Sequence, residues 1–250
     1  MPSTKAIGLG LCLWASVAAA QTNAKGTSMA LELKATLAPA FLPEREMKDV
    51  VIQLSLKNSS TRPVTIYPSF TALSWLSSVA SMGMSWDLTF VSAAAGASAS
   101  GRELRTYYGP PGEPATGEAL RKAGVVLKPG KEHKTTLKAL WVPNALLDPS
   151  SLSLEVLDPQ GFDNLKSIPN LRRSAVLVFG ASSAAFKTGL GKNKEILRDH
   201  MVVFFSAPGK YALQASYRQY PTMSPMVAEV SAVAAPVELT IAGSAVEPVR

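Results

Sequence analysis

The chain has 250 residues, with 25 basic and 18 acidic side chains and a formal net charge of +7. Its single cysteine excludes an intramolecular disulfide. The fold must therefore be held together by burial, for which a chain of this length is sufficient.

The first twenty residues predict a cleavable secretory signal. Lys5 supplies a positive charge ahead of an apolar run over residues 6 to 17, and Ala18-x-Ala20 precedes Gln21 in the pattern of a cleavage site. The run is too short to span a bilayer, so no transmembrane anchor is expected. Removal of this segment leaves 230 residues and a net charge of +6, which favours an anionic surface or partner.

The single cysteine, Cys12, lies inside the predicted signal. Leu11 stands before it where a lipoprotein box requires a small residue, which argues against lipidation. The mature chain then has no thiol, so metal–thiolate sites and cysteine nucleophiles are excluded. Export without cysteine favours a secreted or periplasmic protein of a bacterial envelope.

After a linker over residues 21 to 28, residues 29 to 250 predict an all-β domain. Apolar and polar residues alternate with the two-residue period of half-buried strands, as at Val50, Ile52, Leu54 and Leu56. Several short strands separated by turn signals are typical of an antiparallel sandwich. Predicted strands lie at 29–37, 48–57, 64–66, 84–91, 135–142, 151–157, 175–179, 201–205 and 210–218, with a final pair between 226 and 241.

Helical periodicity is weak. Residues 69 to 80 and 193 to 200 predict only short, peripheral helices. Residues 92 to 124 lack periodicity and are rich in small residues, glycine and proline. We interpret them as a long loop or insertion, or as a boundary between two sandwiches.

This long loop contains the predicted binding residues. Arg102 and Arg105 beside Tyr107 and Tyr108 combine charge, stacking area and hydrogen bonding, as binding loops do. The alternative is that the tyrosines only attach the loop to the sandwich. The cations elsewhere are dispersed, which with the export signal argues against nucleic-acid binding.

One segment resembles part of a hydrolase site. The apolar strand before Gly180-Ala181-Ser182 is followed by a turn of helix, as in a nucleophile elbow, and Asp199 and His200 come later in the right chain order. Ala184 occupies the place of the second glycine, and no alternation of strands and helices surrounds it. A strand that ends in a turn of small residues is the simpler interpretation, and a serine hydrolase using Ser182 is the alternative function.

Other motifs predict no cofactor and no metal site. The mature chain has only two histidines, His133 and His200, without ligand-like spacing to carboxylates. Residues 188 to 195 place two glycines near two lysines but fit no phosphate-binding motif. The sequon at Asn58 lies in a predicted turn, where asparagine has a structural reason to occur.

The stretch "SAPGKYALQASYRQY" predicts a turn at Pro208-Gly209 followed by a strand with Tyr211 and Leu213 facing inward and Gln214 outward. A tyrosine at the start of such a strand resembles the tyrosine corner of immunoglobulin-like domains, in which the hydroxyl bonds backbone upstream. An ordinary core tyrosine is the alternative.

Three stretches, "LSLKNSSTRPVTIYP", "VVLKPGKEHKTTL" and "APGKYALQASY", resemble strand-and-turn elements of bacterial exported immunoglobulin-like or fibronectin-type domains. They cover under a third of the mature chain. The resemblance implies an immunoglobulin-like β-sandwich that binds or bridges other molecules. We therefore expect a non-catalytic binding or structural module of the cell envelope, whose partner is an unidentified, anionic protein or envelope component.

Overall fold

The computed structural model describes residues 31–66, 84–94, 99–102, 124–153, 157, 171–188, 196–197, 200–219 and 230–243. Strands make up 58% of these residues and no helix reaches seven residues, so the protein belongs to the all-β class, as predicted. The strands are β1 (Leu31–Ala38), β2 (Phe41–Leu42), β3 (Lys48–Asn58), β4 (Val64–Ile66), β5 (Met84–Ser92), β6 (Ala99–Arg102), β7 (Val125–Leu127), β8 (Glu132–Val142), β9 (Ala175–Phe179), β10 (Val202–Phe205), β11 (Gly209–Gln219), β12 (Val230–Val233) and β13 (Val237–Ile241). Short 3₁₀ turns lie at Asn144–Leu146, Pro149–Leu152 and Leu171–Arg173, and a helix, α1, spans Ser183–Thr188.

The described strands form two large sheets and a small one. The first sheet has the order β1-β3-β8-β9-β10-β6 and is antiparallel throughout. In the second sheet, β11 is central, with β5 on one edge and β12 and β13 on the other, and β2 pairs in parallel with β13. The third sheet is the pair β4 and β7. Apolar side chains of both large sheets share one core.

Strands β12 and β13 act as one strand interrupted by a bulge. β12 pairs with β11 through Val233 and Ser216, and β13 pairs with β11 through Val237 and Leu213. Residues 234 to 236 therefore lie opposite only two residues of β11, which is a β-bulge. The even-numbered residues are buried before the bulge, and the odd-numbered ones Leu239 and Ile241 after it. The extra residue thus keeps both halves of the strand facing the core.

An aromatic cluster lies in the core between the two large sheets. The ring of Phe205 contacts those of Phe90, Trp141 and Tyr211 edge to face, with ring centroids 5.3, 5.7 and 5.1 Å from its own. Phe205 and Trp141 belong to the first sheet and the other two to the second. Because edge-to-face pairs add about 0.5–1.5 kcal/mol beyond area burial, this cluster is a strong link between the sheets.

A second apolar core covers the outer face of the first sheet. Side chains of β8, β9 and β10 that point away from the central core, such as Leu140, Val178 and Phe204, pack with Leu152 and Phe186 of the segment between β8 and β10. β9, β10 and the last four residues of β8 are therefore buried on both faces. This explains why "AVLVF" and "VVFF" are continuous apolar runs.

Two sequence predictions require correction. The strand predicted over 151–157 is wrong at its start, because Asp148 accepts a hydrogen bond from the Ser150 amide at 2.9 Å and Pro149 opens a 3₁₀ turn. The structure also places β6 within the loop predicted over 92–124, where "ASGR" pairs with β10 although it has no apolar alternation. The strand predicted at 64–66 is present as β4 and pairs with β7. The helix predicted over 69–80 lies outside the described residues.

Asn58 joins two loops at one end of the sandwich. Its side chain is fully buried and donates to the Arg62 and Leu127 carbonyls at 2.7 and 2.8 Å. Its Oδ1 accepts from the amide and the hydroxyl of Ser60 at 2.9 and 2.7 Å. Since all four of its hydrogen-bonding positions are used, Asn58 has a structural role in the folded protein.

Candidate functional site

A cleft of about 260 Å³ opens at the other end of the sandwich. It lies where β8, β10 and β13 end and where β9 begins, so residues from five separate segments line it. Loops cluster at the ends of β-sandwiches, and such ends commonly carry binding sites. The position and the concave shape make this cleft the candidate functional site.

Three buried apolar side chains form the floor of the cleft. Trp141, Phe205 and Ile241 are each at most 5% exposed and reach the cleft from different strands. The indole Nε1 of Trp141 donates to the Pro43 carbonyl at 2.8 Å, which fixes the ring and satisfies its single donor. The floor is therefore rigid before any ligand arrives.

Polar and charged groups lie on the more exposed rim. Arg173 is exposed, and Asn144 and Glu44 are half-buried. The Asn144 side chain donates to the carbonyls of Arg172 and Ser174 at 3.4 and 3.3 Å. These are the residues on either side of Arg173, so Asn144 positions the backbone from which the guanidinium extends.

The wall on the side of the second sheet is the turn between β10 and β11. The Tyr211 hydroxyl donates to the Ala207 carbonyl at 2.6 Å, which confirms the predicted bond to upstream backbone. Gly209 has a φ of 138°, as the predicted turn requires. A Cβ at Gly243 would lie 2.3 Å from two ring carbons of Pro208, so only glycine permits this close approach.

Burial raises the pKa of Tyr211, while its hydrogen bond to Ala207 opposes that shift. The hydroxyl is therefore neutral at physiological pH and remains a donor. Ala207 and Pro208 line the cleft, so the protonated tyrosine supports one of its walls. The hydrogen bond from Tyr211 to Ala207 thus links the stability of the fold to the shape of the cleft.

The predicted binding set is only partly described. Arg102 is the last residue of β6 and lies opposite Val202, at the end of β10 away from Phe205 and the cleft. Arg105, Tyr107 and Tyr108 lie outside the described residues. The proposal that these four residues form a binding loop stays a prediction.

The segment around Ser182 has part of the geometry of a nucleophile elbow. Gly180 has a φ of 81° at the end of β9, and Ser182 is exposed just before α1. The Ser182 carbonyl accepts a hydrogen bond from the Phe186 amide at 3.3 Å. Ser182 therefore occupies the N-cap position of α1. Serine is a preferred residue at helix N-caps, which is a reason for its presence that needs no catalysis.

His200 lies beside this turn. Its Cδ2 would be 3.6 Å from a Cβ placed on Gly180, and its Nδ1 lies 2.9 Å from the Ile196 carbonyl. Since a carbonyl only accepts, Nδ1 carries the hydrogen, and in the neutral ring Nε2 carries the lone pair. Asp199 lies outside the described residues. The serine hydrolase that uses Ser182 therefore stays the alternative prediction.

Metal sites and membrane-spanning helices are both absent from the described part of the chain. Within it, no three His, Cys, Asp or Glu side chains are close enough to hold a metal ion. No helix in those residues is long and apolar enough to cross a membrane. The segment with Lys192 and Lys194 lies outside the described residues.

The sequence analysis did not predict that Glu44, Asn144 and Arg173 belong to a site. They stand about a hundred positions apart or on separate loops, and none belongs to a motif. The pairing of β8 with β9 and of β13 with β2 brings these loops together.

Comparisons of the chain with family models, curated proteins and solved structures give no match.

Proposed function

We propose that this protein is an exported, non-catalytic module of the cell envelope that binds a partner through the end of an immunoglobulin-like sandwich. The observation that carries the proposal is the preformed cleft beside a tyrosine corner at the loop end of a two-sheet β fold. The export signal predicted in residues 1 to 20 supports a secreted or periplasmic location.

Strand order supports the immunoglobulin-like assignment. In an immunoglobulin domain, strands A, B and E are neighbours in one sheet and C, F and G in the other. Here β1, β3 and β8 have the first arrangement, and β5, β11 and the interrupted strand β12–β13 have the second. Tyr211 at the start of β11 corresponds to the tyrosine corner. Leu213, fully buried two residues later, stands where antibody domains have a cysteine.

The additional cover between β8 and β10 supports a binding role. It buries the outer face of β9, β10 and the end of β8, and it also contributes Asn144 and Arg173 to the rim of the cleft. The same segment therefore completes the second core and shapes the site. The mature net charge of +6 favours an anionic partner.

The first test is export of the full chain in a bacterial host, followed by intact mass analysis. We expect a mature protein that begins at Gln21 and carries no lipid. A diacylated species that begins at Cys12, or retention in the cytoplasm with residues 1 to 20 intact, would overturn the assignment to an exported, lipid-free module.

The second test separates a binding module from a serine hydrolase. We expect a broad fluorophosphonate probe to leave the purified protein unlabelled. Stoichiometric labelling that is lost in Ser182→Ala, but kept in Ser183→Ala on the same turn, would replace the binding module with the hydrolase. Capture of a component from native envelopes, weakened by added salt, is the positive result expected of an anionic partner.

A further inference from the structure

We propose that the cleft binds the carboxylate of a small apolar ligand. In this arrangement the Arg173 guanidinium pairs with the carboxylate, and the apolar body of the ligand packs on Trp141, Phe205 and Ile241. The inference rests on the proposed binding function and assigns it a ligand chemistry and a site.

Shape and size support a small ligand. The volume of about 260 Å³ is below that of typical drug-sized pockets, so it suits a compact molecule or a single terminal residue of a larger one. The floor is apolar and buried, whereas the charge lies at the rim. A ligand that fits must therefore have an apolar body and one polar end.

The charge on the rim of the cleft determines which polar group the ligand must carry. Among the residues that the structure describes, the Arg173 side chain has no hydrogen bond or ion pair. Its planar guanidinium can donate two parallel hydrogen bonds to one carboxylate. Asn144 fixes the backbone on both sides of this arginine, which reduces the ordering cost of binding.

The probe is N-acetyl-L-leucine, and its matched control is N-acetyl-L-leucinamide, which has the same body without the charge. Titration of the ¹⁵N-labelled mature protein should shift the Trp141 indole resonance at concentrations of about 0.1–5 mM, a range expected for so small a ligand. We expect the amide to bind about five- to tenfold more weakly, because it cannot form the charge-assisted pair.

Arg173→Met tests the role of the charge, since methionine keeps most of the apolar stem. It should abolish the preference for the acid over the amide. Arg172→Met, an exposed neighbour that does not line the cleft, should keep that preference. Equal binding of acid and amide to the unmodified protein, no response of the Trp141 resonance, or an unchanged preference in Arg173→Met would each overturn the proposal.

A peptide that ends in leucine, with a free or an amidated C-terminus, identifies the source of the carboxylate. Tighter binding of the free-acid peptide than of N-acetyl-L-leucine assigns the cleft to the C-terminus of a polypeptide. Equal or weaker binding assigns it to small free acids. Failure of all these ligands leaves envelope capture by the protein unaffected, so the site and the general binding function fail separately.

Discussion

The Tyr211 hydroxyl provides the sharpest test of the fold, because one oxygen atom distinguishes tyrosine from phenylalanine. That oxygen donates to the Ala207 carbonyl at 2.6 Å, and the tyrosine is 2% exposed. Ala207 is half-buried, so water partly replaces the lost donor. We therefore expect Tyr211→Phe to lower the free energy of unfolding by about 1 kcal/mol, the lower end of the cost of a buried acceptor left unpaired.

Truncation of the whole ring has a larger cost. Tyr211→Ala removes a buried aromatic side chain and its edge-to-face contact with Phe205 at 5.1 Å. By analogy with other buried aromatic residues, the loss is about 3–5 kcal/mol. Gln214→Ala on the exposed face of the same strand should change stability by less than about 0.5 kcal/mol.

Urea denaturation of the mature protein measures all three variants, provided that the slope with denaturant is unchanged. If Gln214→Ala lowered the free energy of unfolding as much as Tyr211→Ala, the assignment of Tyr211 to the buried face of β11 and Gln214 to its exposed face would be refuted. A loss above about 3 kcal/mol in Tyr211→Phe would refute the argument that water reaches Ala207.

The pH dependence tests the same hydroxyl independently. Burial raises the pKa of Tyr211 above that of the unfolded chain. The stability from the neutral ring is then complete below the unfolded pKa of about 10 and is lost as pH rises through the folded pKa. The advantage of the unmodified protein over Tyr211→Phe should therefore shrink above about pH 10, and an advantage that grows there would contradict this sign.

Three further substitutions test other parts of the structure. Asn58→Asp removes two buried donors and adds a charge, so urea denaturation should show that the free energy of unfolding falls by about 3 kcal/mol or more. An unchanged free energy would contradict the structural role of Asn58. Ser55→Ala should raise the carboxyl pKa of Glu132 in an NMR titration, because the Ser55 hydroxyl is the main cause that lowers it; an unchanged pKa would show that nearby lysines dominate. Gly243→Ala should lower the melting temperature by several degrees, since its Cβ would overlap Pro208, and an unchanged temperature would mean that this close approach is absent.

Most of the central core was predictable from the sequence because its strands have one exposed face. β1, β3 and β11 alternate buried and exposed residues over eight to eleven positions, and the residues predicted to face inward, such as Ile52 and Leu213, are fully buried. Period-two alternation indicates a half-buried strand directly. The turn before β11 was predictable for a similar reason, since Pro208 and Gly209 restrict the backbone locally.

Four features were less predictable because distant residues determine them. β9 and β10 have no alternation to show which side chains face which core, since both faces are buried. β6 depends on main-chain pairing with β10, to which its small residues give no clue. The bulge at residues 234 to 236 reverses the alternation between β12 and β13, so one register cannot describe both. The cleft combines five segments, and no local pattern records that arrangement.

The contacts that stabilise the cleft end of the sandwich also shape its binding site. Three side chains, Tyr211, Trp141 and Asn144, each donate to a backbone carbonyl of a loop at the cleft: Ala207, Pro43 and the pair around Arg173. Since binding gains when the site is ordered beforehand, weakening one of these bonds should reduce affinity even in fully folded protein. Tyr211→Phe should therefore weaken binding of N-acetyl-L-leucine under conditions where no unfolded protein is detectable. Equal affinity in that variant would show that the wall at Ala207 keeps its position without the hydroxyl.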